Sequence, residues 1–219
     1  MKWKLDILPE NTRFAIGYLE GKEWLAKQNW YLAGGTALVL QVGHRQSVDL
    51  DFFTETKTFL PAEVIKNFPD EDKVWDAQIV QEGTIYGTVC GAKVSFIAYP
   101  FFTPLMPFIK YGSINVLDKN DIAVMKVIAI SQRGRKRDFV DLYWCLNNIV
   151  SLVDVLKKLS NQYPNISHNY HHIIKSLTFF EDAEDEPMPQ QFSGATWQDI
   201  KKYFQSEAPR VAKQIMGLE

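Results

Sequence analysis

The sequence has few cysteines, no excess of positive charge and no long apolar run. Only two of its 219 residues are cysteines. Cys90 and Cys145 lie far apart, without a CxxC or Cys/His spacing, so a structural zinc site is not expected and two reduced, buried thiols are. Lys and Arg total 24 against 26 for Asp and Glu, a net charge of −2. Nucleic acid would therefore have to be attracted by a local patch rather than by a global basic field.

The chain also lacks the features of membrane and secreted proteins. No apolar stretch reaches the ~20 residues that a transmembrane helix needs, so no membrane span is expected. The first residues, MKWKLDILPENTR, contain no apolar run typical of a signal peptide. These absences predict a cytoplasmic location.

Hydrophobic residues at 46% and charged residues at 23% are typical of a folded globular chain. Helical periodicity predicts a helix over 12–28, capped by Asn11 or Thr12. A short apolar run at 30–33, a Gly-Gly turn, a helix over 36–41 and a buried strand over 48–53 are predicted next. Thr36 is the expected cap of that second helix, and Gly43 its end.

The remaining pattern divides the chain into two halves. The first, over 1–117, is predicted to be an α/β half. After the strand at 48–53 it continues with a short helix at 61–68, β-rich runs between 73 and 98, an irregular proline-rich segment at 100–107 and a short strand at 115–117. Residues 118–219 are predicted to form a helical half. It begins with a helix at 120–131 and a second helix after the basic QRGRKR, followed by two short helices within 151–177. An acidic surface loop at 181–189 and a helix over 197–216, interrupted near Pro209, complete it. The fold class predicted is α+β, a mixed sheet with flanking helices followed by a helical half. As a separate expectation, the helical half packs against the α/β half.

Asp49-Leu50-Asp51 is the most informative motif. On a strand, Asp49 and Asp51 project from one face and Leu50 from the other. Two adjacent carboxylates repel each other unless a cation lies between them, and Mg²⁺ is commonly held by one or two carboxylates plus phosphates. An acidic pair on a solvated strand face is the alternative, but Phe52 and Phe53 favour a strand inside the fold.

The glycine pair before this strand is a candidate phosphate cradle. Gly34 and Gly35 allow backbone N–H groups to approach a ligand, and the helix that starts at Thr36 favours anions at its N-terminus. Arg45 could clamp a phosphate or form a salt bridge, and Ser47 could donate to a phosphate or cap a loop. His44 has no second histidine at ligand spacing and is predicted to be structural.

The helical half offers three further polar features. Lys126 lies within an apolar helix and either extends to the surface or reaches into a polar site. Asp138 and Asp141, at i and i+3, share a helix face. The cluster of Arg133, Arg135, Lys136 and Arg137 is either a solvated turn or a phosphate or RNA-backbone contact.

Two segments carry a resemblance to a known family. LAGGTALVLQVGHRQSVDLDFF closely resembles the signature of the AbiEii/AbiGii-type nucleotidyltransferase toxins, within the minimal-nucleotidyltransferase (polymerase-β-like) superfamily. DIAVMKVIAISQRGRKRDFVDLY also resembles that family, and FFEDAEDEPMP does so more loosely.

The resemblance implies a role for each of these residues. Asp49 and Asp51 would bind Mg²⁺, and Gly34, Gly35 and Ser47 would cradle the triphosphate. Lys126 would contact an NTP phosphate, and Asp141 would have a base or orienting role. Known relatives have an antitoxin partner, and some modify the 3′ end of tRNA.

One position departs from the superfamily pattern. A third carboxylate is normal on a neighbouring central strand, and the expected place in AKVSFIAYP is Ser95. Either two carboxylates and phosphates hold the metal, or Asp141 substitutes, or catalysis is impaired.

The function predicted is Mg²⁺-dependent transfer of NMP from an NTP to an acceptor hydroxyl by the toxin component of a toxin–antitoxin system. RNA, and tRNA in particular, is the expected acceptor. Thr36 and Arg45 are included among the predicted NTP contacts. Two alternatives stay open: a nucleotidyltransferase acting on a small-molecule hydroxyl, and a catalytically impaired nucleotide- or RNA-binding module.

Overall fold

The structure, a computed structural model, describes residues 2–69 and 74–217. Contacts between Cα atoms divide it into two compact units, Met1–Asp118 and Lys119–Glu219. Each unit is described by itself below.

The first unit is built on a mixed seven-stranded sheet, with the strand order β3-β4-β5-β2-β1-β7-β6. Two neighbouring pairs, β1 with β7 and β2 with β5, are parallel, and the other neighbours are antiparallel. A 3₁₀ turn at Leu5–Ile7 precedes the first helix. The strands are β1 Tyr31–Ala33, β2 Leu50–Thr54, β3 Trp75–Gln81, β4 Thr84–Val89, β5 Ala92–Ala98, β6 Ile109–Tyr111 and β7 Ile114–Val116; the helices are α1 Glu10–Glu20, α2 Trp24–Lys27, α3 Gly34–Val42 and α4 Pro61–Ile65.

One face of the sheet forms an aromatic core. Phe52 on β2 stacks on Phe96 of β5 with ring centroids 5.3 Å apart, and Trp30 meets Phe96 edge-on at 5.2 Å. Phe52 and Phe96 are fully buried. Burial of such large apolar side chains supplies the main stabilisation of this unit.

The second unit is helical. Its helices are α5 Lys119–Arg133, α6 Lys136–Asn148, α7 Leu152–Gln162, α8 Tyr170–Ser176, α9 Glu181–Glu184 and α10 Trp197–Met216. Phe139 of α6 is the centre of its core, with ring centroids 5.3 Å from Phe180, 5.6 Å from Phe204 and 5.7 Å from Trp197. A capping box between Thr196 and Asp199 begins α10.

The predicted fold class is confirmed, but several element boundaries were wrong. The helix predicted over 12–28 is two helices, because the chain leaves the helix at Gly21 and re-enters it at Trp24. Neither predicted cap acts as one, since Pro9 is the N-cap of α1. The β-rich region has the three predicted strands, although its predicted start at residue 73 lies outside the described residues.

Other differences are local. β6 was missed, and the predicted strand at 115–117 is Ile114–Val116. The acidic loop contains the short helix α9, and α10 continues through Pro209 without interruption. Both cysteines are free; Cys145 is buried as expected, but Cys90 is only partly buried.

No single helix in the part of the chain that the structure describes is long and apolar enough to cross a membrane. Among the described helices, α6 and α7 together, as a pair bent by 112°, meet the length and composition required.

Candidate nucleotidyl-transfer site

The turn from β1 into α3 is the part of the candidate site where an anion could bind. Gly34 follows β1 directly and has a φ of +69°, a left-handed conformation that glycine adopts without steric cost. The first N–H groups of a helix have no partner within the helix, and together with the helix dipole they favour an anion. The predicted cap was wrong: Ala33 is the N-cap and makes no side-chain cap bond. The Thr36 hydroxyl instead hydrogen-bonds the Asp49 carbonyl oxygen and Ser47 Oγ.

Asp51 lies directly against this turn. In the register of the sheet it is paired with Ala33 on one side and Ser95 on the other. A Cβ atom added to Gly34 would be 3.0 Å from Asp51 Oδ2, a tighter contact than most Cβ atoms make, so glycine gives the carboxylate the most room. Asp49 immediately precedes β2 and, like Asp51, is partly exposed, whereas Leu50 between them is fully buried. This alternation is what the motif predicts for carboxylates that line a cleft.

Ser95 is the residue that the resemblance places where a third carboxylate is expected. Its hydroxyl donates to Asp51 Oδ1 at 2.8 Å. Within residues 2–69 and 74–217, no group of three or more His, Cys, Asp and Glu side chains is arranged to hold a metal ion. The donor set of two partly exposed carboxylates beside a helix N-terminus fits Mg²⁺ that takes its other ligands from phosphates and water.

Arg45 and Ser47 cover the second glycine. A Cβ atom at Gly35 would be 2.4 Å from Arg45 Nη2 and 3.0 Å from Ser47 Oγ. Arg45 is 3% exposed, and its Nη1 donates to the Gln46 carbonyl oxygen at 2.6 Å. The structure therefore brings Arg45 and Ser47 together at the glycine pair.

An aromatic surface that the sequence analysis missed continues from the carboxylates. Phe53 is two residues after Asp51 and projects from the same face of β2. Its ring centroid is 5.6 Å from that of Tyr99, which is 5.8 Å from that of Phe101. Phe101 is 50% exposed. The aromatic YPFF at the end of β5 was the available signal, but it lies in the irregular segment, where no periodicity assigns a face.

Lys126 lies in the second unit, where the structure pairs it with two aspartates. Its Nζ is 2.7 Å from Asp138 Oδ1 and 2.6 Å from Asp141 Oδ2. The lysine side chain is 6% exposed and both aspartates are fully buried. Of the two alternatives for Lys126, the polar environment is the one found. Asp138 and Asp141 do share a helix face.

The charges around Asp138 offset the cost of its burial. Burial alone would raise the pKa of Asp138, but the positive charges of Lys126 and Arg133 outweigh it, and the pKa lies below its usual value. Burial, followed by the negative charge of Asp141, raises the pKa of the nearby Cys145 thiol. Cys145 is therefore a protonated core thiol.

The basic cluster predicted as one patch is divided by the fold. Lys136 is buried, and its Nζ donates to the carbonyl oxygens of Glu184 and Glu186. Arg133 is half-exposed, and its Nε donates to Asp138 Oδ2 at 3.1 Å. Lys136 therefore has a structural role, whereas Arg133 reaches the surface.

Comparison with known proteins decides the family. The model of the family described as "Nucleotidyl transferase AbiEii toxin, Type IV TA system" matches residues 23–80 and 97–215. The chain belongs to the AbiEii nucleotidyltransferase toxin family. The glycine pair, Asp49, Asp51, Lys126 and Asp141 all lie within the matched ranges of this AbiEii chain, whereas Ser95 lies in the stretch between them.

One protein sequence and two solved structures are also similar to this chain. An uncharacterised protein of Aquifex aeolicus (strain VF5) is 34% identical over 182 residues, which cover 80% of this chain and 84% of the relative. The crystal structure of JHP933 from Helicobacter pylori matches at a TM-score of 0.52 and 16% identity, covering 96% of this chain and 95% of that one. MenT4, a nucleotidyltransferase toxin from Mycobacterium tuberculosis H37Rv, matches at a TM-score of 0.54 and 10% identity, covering 93% of this chain and 86% of that one. At these identities the two structures show only that this AbiEii chain shares their fold.

Family membership confirms the predicted enzyme class. The chain is a nucleotidyltransferase of a toxin family from toxin–antitoxin systems. The individual site residues, the metal, the acceptor, the antitoxin partner and the cytoplasmic location stay predictions.

Proposed function

We propose that this AbiEii chain transfers NMP from an NTP to a hydroxyl group of RNA, with tRNA as the expected acceptor and Mg²⁺ as the metal. The observation that carries the proposal is the position of the Asp51 carboxylate against Gly34, at the N-terminus of α3. A carboxylate beside an anion-binding turn would ordinarily repel a phosphate, and a bound divalent cation removes that repulsion.

Each residue of the first unit has a distinct part in this proposal. The N–H groups at the start of α3 and the hydroxyl of Ser47 hold the triphosphate, and Arg45 clamps it through its guanidinium. Asp49 and Asp51 hold Mg²⁺, and the Ser95 hydroxyl orients Asp51. When bound, the metal neutralises charge that develops on the α-phosphate and on the leaving pyrophosphate.

The aromatic surface supplies a place for a nucleobase. Tyr99 and the half-exposed Phe101 lie on the continuation of β5, beyond Ser95. Aromatic side chains stack on bases with little sequence preference, which suits either the NTP or the end of an RNA strand.

The parts proposed for Lys126 and Asp141 rest on the family resemblance. Lys126 would contact an NTP phosphate and Asp141 would orient it, which the 2.6 Å ion pair between them supports. A cognate antitoxin is the partner expected from the family.

The test of the proposal is the double variant Asp49→Asn with Asp51→Asn. Transfer of radiolabelled NMP to total tRNA should be lost, while Asp76→Asn, an exposed carboxylate on strand β3 of the same sheet, should transfer at the wild-type rate. Unchanged transfer in the double variant would show the mechanism to be wrong. A panel of small metabolites offered as acceptors in the same assay separates the RNA acceptor from a small-molecule hydroxyl.

A further inference from the structure

A pocket in the second unit is not used by the proposed transfer site. It has a volume of about 300 Å³ and opens between the end of α5 and the segment from α8 to α9. This volume is at the lower end of the ~300–1,000 Å³ range of ligand pockets and suits one nucleotide-sized group. Its polar and aromatic lining includes Ser131, Arg133, His172, Lys175, Phe179 and Asp182.

Two side chains of the pocket lining, Arg133 and His172, are held in place by hydrogen bonds to other residues of the protein. Asp138, which is fully buried and paired with Lys126, accepts from Arg133 Nε at 3.1 Å. The Arg133 side chain nevertheless remains 49% exposed. A His172 ring nitrogen lies 3.1 Å from the Ser131 carbonyl oxygen. Both side chains are therefore oriented before any ligand arrives, which lowers the entropic cost of binding.

The lining combines two kinds of recognition. Arg133 and the exposed Lys175 provide positive charge for a phosphate. Phe179, which is 47% exposed, offers a ring face for stacking. Asp182 adds a carboxylate that accepts hydrogen bonds from amino or hydroxyl groups but disfavours a small bare anion. A ligand with a phosphate, a planar ring and donor groups satisfies all of them.

We propose that this pocket binds a nucleotide, with its phosphate on Arg133 and Lys175 and its base on Phe179. The nucleotide is either free or one unit of an RNA strand. The inference goes beyond the proposed function because it requires neither Mg²⁺ nor the transfer reaction.

The experiment measures binding by the full chain in EDTA, so that metal-dependent binding does not contribute. The probes are a fluorescein-labelled single-stranded oligoribonucleotide, followed by anisotropy, and a nucleoside 5′-monophosphate, followed by calorimetry. Lys175→Glu and Phe179→Ala should each weaken binding by about tenfold. The matched controls are Lys157→Glu, an exposed lysine on α7, and Phe192→Ala, a 54% exposed phenylalanine between α9 and α10. Circular dichroism checks that all variants are folded.

The outcomes are distinct. Weakening of both probes by the pocket variants supports a site for a free nucleotide, and weakening of the oligoribonucleotide alone supports a site for RNA. Equal affinity in pocket and control variants, or no binding of either probe by the wild type, overturns the inference. Transfer is measured with Mg²⁺ on the Asp49→Asn, Asp51→Asn double variant, and pocket binding is measured in EDTA on Lys175→Glu and Phe179→Ala, so loss of transfer and loss of pocket binding are separable failures.

Discussion

This molecule has two pairs of aspartates that each share one face of their strand or helix, but the environments of the two pairs are opposite. Asp49 and Asp51 are partly exposed beside the N-terminus of a helix, whereas Asp138 and Asp141 are fully buried around Lys126. A partly exposed pair can exchange water for a ligand cation, whereas a buried pair depends on a cation that the chain itself supplies. The comparison teaches that burial and counterion, rather than spacing, distinguish an acidic pair that a ligand cation can reach from a pair held by a lysine of the chain itself.

The largest expected effect is on catalysis, from Asp51→Asn. The amide keeps the size of the side chain and an acceptor for Ser95 but loses the charge that binds the metal, so NMP transfer should fall about 10³-fold, equivalent to ~4 kcal/mol. The midpoint of urea unfolding should stay unchanged. A transfer rate within threefold of the wild type would contradict metal binding by Asp51, and the two aspartate pairs would then not differ in function.

Lys126→Met should act on stability in addition to removing the phosphate contact proposed for Lys126. Without the ammonium, two fully buried carboxylates have lost their shared cation, and the free energy of unfolding should fall by about 3–5 kcal/mol. Urea unfolding followed by circular dichroism measures this, and Lys157→Met, at an exposed site on α7, is the matched control. A loss no greater than that of the control would contradict the buried-pair interpretation.

The acid dependence of stability should distinguish Asp138. Because the pKa of Asp138 is lowered in the folded chain, its stabilising contribution is fully present above the ordinary aspartate pKa and is lost as the pH falls through the folded-state value. Between about pH 5 and pH 2, the wild type should therefore lose unfolding free energy more steeply than Asp138→Asn. Asp185→Asn, at an exposed site, should follow the wild-type curve; identical slopes in all three chains would argue against the assignment.

Gly34→Ala should affect both stability and transfer. Alanine would have to adopt the φ of +69° and would place Cβ 3.0 Å from Asp51 Oδ2, at a cost of about 1–2 kcal/mol. Thermal unfolding together with the transfer assay tests this. Gly17→Ala in α1, where nothing lies within 4 Å of the new Cβ, should be neutral or slightly stabilising. Equal behaviour of the two variants would mean that the turn is not constrained.

The smallest effect is expected from Phe101→Ala. Loss of one stacking partner should raise KM for the NTP or the RNA by about fivefold, with kcat unchanged. Steady-state kinetics with Phe14→Ala, a 59% exposed phenylalanine on α1, as the control would show whether the aromatic surface contributes.

The features of the candidate site around Asp51 that depend on residues close together in the sequence could be predicted from the sequence. Strand alternation indicated that Asp51 points away from the buried Leu50, and the glycine pair indicated a turn that a ligand or side chain approaches closely. The position of Ser95 was also predicted, and the pairing of β2 with β5 places it beside Asp51.

The rest depended on contacts between distant residues. Helical periodicity continued through Gly21, so the break between α1 and α2 could not be read from it. The hydroxyl of Thr36 has a partner 13 residues away, which outcompetes a cap. That Lys126 binds aspartates 12 and 15 residues later, rather than extending to the surface, follows only from the packing of α5 on α6.

The close approach of Arg45 to Gly35 has a consequence for variation among homologues. The head group of Arg45 occupies the volume that any side chain at position 35 would need. A substitution at either position therefore alters what the other tolerates, and a homologue with a side chain at 35 should have a shorter residue at 45. The two positions should covary, a pattern that an alignment of homologues can check without any experiment on the protein.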